Sequence, residues 1–186
     1  MFLPGLKTGF VMLKFAQGAF AALMLIFVNC FANAQTAMID RFVPEAALVG
    51  EARFNVLLFP VYDASLYAPK GDYRKSGPLA LELNYLFEVE KERIVNQTVK
   101  TFERRKLGSD TDVAKWRKIM SEHFSDVQQG DRIMIAFPDL QTVVFSTNGS
   151  DPTFVSDAGF AEAFKDLWLG DSVRNKSFQK KLLGLK

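Results

Sequence analysis

One cysteine and one histidine occur among the 186 residues, Cys30 and His123. A single cysteine excludes an internal disulfide, a cysteine-based zinc site and a CxxC redox pair. A single histidine excludes a multi-histidine metal centre, so no metal site is expected. Charge of one sign is lacking as well. The 23 basic and 21 acidic residues leave +2, without the cationic excess on which nucleic-acid binding draws. No GxSxG, P-loop or GxGxxG occurs, so no serine nucleophile and no nucleotide cofactor is marked, and no cofactor is expected. Internal repeats and low-complexity tracts are missing too. With 48% hydrophobic and 24% charged residues, the composition is that of a globular chain of one ordinary domain.

What is abundant is phenylalanine, 18 residues, which calls for a large aromatic core or an apolar cavity. The one long hydrophobic run lies at the N-terminus. Lys7 and Lys14 precede an apolar stretch from Phe15 to Val28, and Ala32-Asn33-Ala34 offers a small-x-small cleavage site before Gln35. Residues 1–34 therefore read as a secretory signal cleaved after Ala34, with a periplasmic product of residues 35–186. The uncharged stretch Phe15–Ala34 is also nearly long enough to span a bilayer, so a retained anchor is the alternative and the one expected route to a membrane. Asn29 before Cys30 argues against a lipoprotein signal. Cleavage removes two lysines, no acid and the cysteine, leaving a balanced, cysteine-free domain that must be held by its core alone.

Strand character opens that domain. Ala47–Gly50 and Arg53–Phe59 form one interrupted strand, Val61–Tyr67 follows Pro60, and Pro60 marks a bulge or an edge. After a loop at Lys70–Pro78, Leu79, Leu81, Leu83 and Tyr85 alternate with Ala80, Glu82 and Asn84, the period of a half-buried strand. A helix over Glu88–Lys106 carries Ile94, Val95, Thr98, Val99 and Phe102 on one face and stops before Gly108. A second starts at the Ser109–Asp112 cap and bears Val113, Trp116, Met120, Phe124 and Val127. Arg132–Phe137 and Gln141–Ser146 read as a hairpin, and Thr153–Val155 as a short strand. Helices over Asp157–Leu169, capped by Ser156, and Lys176–Leu183 close the chain. This order predicts an α+β fold, an antiparallel sheet covered on one side by helices.

Few polar residues point to chemistry. His123, at a helix C-terminus, is most simply a dipole partner. Thr98, inside an apolar helical face, either bonds back to the carbonyl four residues earlier or aims into a cavity. Arg53 alternates with Phe54, Val56 and Leu58. If its own face is covered, the guanidinium needs a partner, either a carboxylate of the domain or one of a ligand. Tyr62 and Tyr67 on the next strand are candidate phenol donors.

Val49-Gly50-Glu51-Ala52-Arg53 and Val61-Tyr62-Asp63-Ala64-Ser65-Leu66-Tyr67 resemble the opening strands of chalcone isomerase-like domains. Gly130-Asp131-Arg132-Ile133, Ser146-Thr147-Asn148-Gly149 and Leu167-Trp168-Leu169-Gly170 resemble later motifs of the family's exported bacterial branch. The resemblance spans Leu48 to Leu185. It implies a large antiparallel sheet, helices over it and a cleft between. In the plant enzymes of this fold the cleft cyclises a chalcone, using an early-strand Arg, a Thr on the next strand, a helical Tyr-x-x-Lys-x-x-x-Asn series and a later polar residue. Here the Arg matches Arg53 and the Thr falls on Tyr62, allowing a gap of three residues. The helical series is missing, with Glu90, Arg93 and Gln97 at its places, and the later polar position is Leu167. The pattern is closer to non-catalytic members, some of which bind fatty acids through the Arg and a Tyr. The resemblance thus implies a non-enzymatic binder of a small apolar acid such as a fatty acid, with Arg53, Tyr62, Gln97, Thr98 and Leu167 around the ligand. Two alternatives stand: an isomerase of the intramolecular lyase type with a rearranged site, using Glu90 or Gln97 as acid–base group, and a ligand-free interaction module. The sequence marks no oligomeric interface.

Overall fold

The computed structural model describes residues 37–185; the signal segment 1–34 and its cleavage after Ala34 lie outside the described residues. Six strands, β1 (Ala46–Val56), β2 (Phe59–Pro69), β3 (Leu79–Tyr85), β4 (Arg132–Phe137), β5 (Thr142–Thr147) and β6 (Thr153–Ser156), form one sheet. Its spatial order is the chain order, and every pairing is antiparallel. Besides a short helical turn at residues 37–40, the described residues hold four helices: α1 (Lys91–Arg105), α2 (Asp110–His123), α3 (Ala158–Leu169) and α4 (Lys176–Leu182). The α+β sheet-and-helix architecture expected from the residue pattern is the one observed.

Alternation along the strands sorts the core. Leu79, Leu81 and Leu83 of β3, Ile135 and Phe137 of β4, and Val143 and Phe145 of β5 point to the helices and join their buried faces in the main core. The intervening Ala80, Met134, Ala136 and Val144 point to the opposite face. There they are covered by Ile39 and Val43 of the segment before β1, whose first turn, residues 37–40, is helical. Part of the second face is therefore buried as well, by residues in which the sequence showed no element.

Helix boundaries follow their caps. Ser109 and Asp112 form a reciprocal capping box at the start of α2. Three expectations shift. Glu88–Glu90 remain extended, because Val89 pairs with Val127 in an isolated bridge, so α1 starts at Lys91. Its first amide is capped from outside the helix, Lys91 N donating to Asp126 Oδ1 at 2.8 Å. The same bridge takes Val127 out of α2, which ends at His123. The cap of α3 is Asp157, accepting from Phe160 N at 2.9 Å, and not Ser156.

The aromatic abundance is spent in a contiguous cluster. Phe124, Phe145, Phe160, Phe164, Trp116 and Trp168 meet at ring-centroid distances of 5.1–6.3 Å, half of the pairs edge to face.

Candidate functional site: an apolar cleft with a cationic rim

Between the sheet and the helices lies a cleft of about 1190 Å³, somewhat above the ordinary ligand-pocket range of about 300–1,000 Å³. Its floor is Leu83 and Tyr85 of β3, Ile133 and Ile135 of β4, and Phe145 of β5. Ile94, Gln97 and Thr98 of α1, and Phe164, Leu167 and Trp168 of α3, form its walls. Phe178 of α4 lines it too, and the exposed Val56, Leu57 and Phe59 of the β1–β2 hairpin stand at the mouth. A second hollow, between α1 and α2, holds only about 250 Å³ and is bordered by Glu103, Asp110 and Arg117.

The charges around the large cleft have one sign. Arg93, Arg104, Arg105 and Arg174 line it, and no Asp or Glu does. Arg93, Gln97, Thr101 and Arg104 recur three or four residues apart, so they make one polar stripe along α1. Arg93, Arg104 and Arg174 are solvent-exposed, which puts them at the rim, and none forms an ion pair among the described residues. Arg105 is committed elsewhere. Its Nε donates to Ser172 Oγ at 2.7 Å and its Nη2 to the Asp166 carbonyl at 2.6 Å, tying α1 to the C-terminal end of α3. Partial burial lowers the Arg105 pKa from its usual value.

Two phenols reach the interior. Tyr62 accepts a hydrogen bond from Trp168 Nε1 at 3.0 Å, and its ring lies 5.7 Å from that of Tyr85. Neither phenol proton has an acceptor among the described residues. Burial raises both pKa values, that of Tyr62 strongly and that of Tyr85 to about 12. Both are therefore neutral donors across the physiological range.

Of the five residues singled out in the sequence, Tyr62, Gln97, Thr98 and Leu167 line this cleft. Arg53 does not, and its expected role against a ligand is corrected here. Ala52 and Phe54 face the helices, which turns Arg53 to the opposite, solvent-exposed side of β1. There its guanidinium clasps the cross-strand neighbour Asp63, Nε–Oδ1 2.6 Å and Nη2–Oδ2 2.8 Å. The hydrogen bond from Arg53, with its Coulomb attraction, outweighs the opposing desolvation and leaves the Asp63 pKa below the usual carboxylate range. The domain's own carboxylate satisfies Arg53. Thr98 makes no back-bond; the neighbouring Thr101 does, to the Gln97 carbonyl at 2.8 Å. His123 also borders the cleft, beyond its expected part as a dipole partner. Glu90, nominated as an acid–base group, sits at the N-cap of α1 outside the lining. That leaves Gln97, whose amide does not titrate.

What the sequence reading missed is the rim. Arg93 surfaced only as a register position, while Arg104 and Arg174 carried no signal beyond their charge. The helical spacing of Arg93, Gln97, Thr101 and Arg104 was the available clue.

No curated protein matches the chain in sequence. Among solved structures, the crystal structure of a fatty-acid binding protein from Arabidopsis thaliana is similar in fold, with a TM-score of 0.57 at 14% identity. The match covers 76% of this chain and 88% of that one. A family model described as chalcone isomerase-like matches residues 47–184, from β1 to just beyond α4. The chain belongs to the chalcone isomerase-like family.

Proposed function

We propose that this protein binds an apolar carboxylate of the fatty-acid type, the hydrocarbon in the cleft and the head group at its arginine rim. The observation that carries the reading is the lining: aromatic and aliphatic side chains within, three unpaired arginines at the edge and no carboxylate. An apolar slot rewards burial of a hydrocarbon tail in proportion to its area. Guanidinium groups without an internal ion pair favour a planar anion. Gln97, one turn from Arg93 on α1, can donate to the same head, and Thr98, Tyr62 and Tyr85 offer neutral donors to any oxygen that reaches the interior. That a fatty-acid binding protein shares the fold supports this choice of ligand class. The pattern of Lys7 and Lys14, the apolar run Phe15–Val28 and Ala32-Asn33-Ala34 supports export with removal of residues 1–34.

Native and denatured mass spectrometry of the full-length gene product, recovered from the periplasm, tests both parts. The denatured mass is expected to begin at Gln35. The native mass is expected to carry an excess that matches a fatty acid and vanishes on denaturation. Replacing Arg93, Arg104 and Arg174 together by Ala should weaken binding of a long-chain carboxylate more than ten-fold, since hydrogen bonds to charged groups contribute about 1.5–3 kcal/mol. The methyl ester of the same acid should bind parent and variant alike. A bare native mass, with no uptake of added fatty acid, overturns the reading.

A further inference from the structure

The β1–β2 hairpin turns through four consecutive apolar residues that the fold leaves bare. Val56 is 53% exposed, Leu57 88%, Leu58 92% and Phe59 71%. Leu57 has φ +57°, a left-handed conformation that Asn or Gly adopts at lower cost. A tight turn in water would ordinarily carry such residues, and this one holds two leucines in solvent. Contiguous exposed apolar side chains at a protrusion mark a contact surface.

We infer that this hairpin inserts into the interface of an anionic lipid bilayer and so brings the mouth of the cleft onto the membrane. Two observations select that occupant. Val56, Leu57 and Phe59, all exposed, line the same cleft as the exposed Arg93, Arg104 and Arg174. Apolar tip and cationic rim thus face one partner, which must be apolar within and negative at its surface. Anionic head groups attract such arginines, and an apolar tip flanked by cations is the pattern of proteins that lie on a bilayer. A second copy of the chain is a poor fit, because four side chains fall well short of the roughly 800 Å² per partner of a stable interface. The inference rests on the hairpin and its rim, whatever the cleft holds.

The test uses residues 37–186, a compact unit with its own core, so that the apolar segment before it contributes nothing. The unit is expected to co-float with vesicles of phosphatidylglycerol and phosphatidylethanolamine and to stay behind with phosphatidylcholine alone. Leu57→Asn combined with Leu58→Asn should reduce co-flotation more than ten-fold. Asn suits the left-handed position, so this variant should retain the parent's unfolding midpoint. Residues 37–186 contain no cysteine. A polarity-sensitive dye on Leu58→Cys should therefore report on the tip alone, shifting to the blue with anionic vesicles. The same dye on Asp151→Cys, before β6 at the far edge of the sheet, should not move. Absent flotation, unimpaired flotation of the double variant, equal binding to phosphatidylcholine, or a dye response at 151 without one at 58 each overturns the inference. So does a hairpin-dependent dimer formed without lipid. A fatty acid retained by a variant that no longer floats would leave the cleft reading intact, so the two proposals fail separately.

Discussion

Arg53 and Asp63 face each other across β1 and β2 as a bidentate pair on the sheet's exposed side. Such a pair is screened by water and adds little to stability. Arg53→Ala is therefore expected to leave the thermal midpoint close to the parent's and fatty-acid affinity within about two-fold, as titrated by displacement of a fluorescent fatty acid. A ten-fold loss of affinity would return Arg53 to the binding site. Tyr62 behaves oppositely, being half-buried against the core and held by Trp168. Its folded-state pKa, and that of Tyr85 at about 12, lie above the ordinary tyrosine value of 10.0. Above pH 10 the unfolded chain loses these protons while the folded chain keeps them, so rising pH favours unfolding. Stability should hold up to about pH 10 and fall progressively toward pH 12. In urea titrations, Tyr85→Phe should flatten that fall, and an unchanged slope would show that Tyr85 titrates normally in the fold.

At the scale of elements, β1 is shaped by what packs on it. A register shift lies between Leu48 and Gly50, and the C-terminal end of α4 presses on that point. A Cβ on Gly50 would meet the Lys181 carbonyl, and would lie 2.7 Å from Gly184 N and 2.8 Å from the Leu182 carbonyl. All three are backbone atoms, which cannot rotate aside. Gly50→Ala should cost about 1–3 kcal/mol, the usual range for overpacking, measured as a lower urea midpoint with unchanged slope. A loss below a few tenths would mean that α4 detaches readily from β1. The α1 helix shows how one amphipathic element serves two surfaces. Val95, Val99 and Phe102 are buried in the core, Ile94 and Thr98 face the cleft, and Arg93, Gln97 and Arg104 edge its mouth. The sequence pattern merged the first two sets into one apolar face, because both are apolar at helical spacing. Only packing separates a side chain against the sheet from one against a void.

For the whole molecule, a sheet whose strands follow chain order places β1 at one edge and β6 at the other. The helices cover only one face, and the cleft is the space where they do not close on it. The strands, the helices and the α+β class were legible because periods of 2 and 3.6 are local properties of the chain, except that the apolar run hid the turn at Leu57–Leu58, and the expected strand Arg53–Phe59 divides there between β1 and β2. The capping box at Ser109 and Asp112 was legible for the same reason. The start of α1 was not, since its cap comes from Asp126 and its preceding residues are held by Val127. Tyr62, Gln97, Thr98 and Leu167 could be named from family motifs and helical position. The amino-acid sequence alone thus determined the elements, the balanced charge and the aromatic wealth that the core and cleft share. Tertiary structure alone decided which side of β1 faces the cleft, and strand parity then sent Phe54 inward and Arg53 to Asp63. It alone assembled the cationic rim, because Arg93 and Arg104 on α1 and Arg174 before α4 meet only when both helices pack on one sheet.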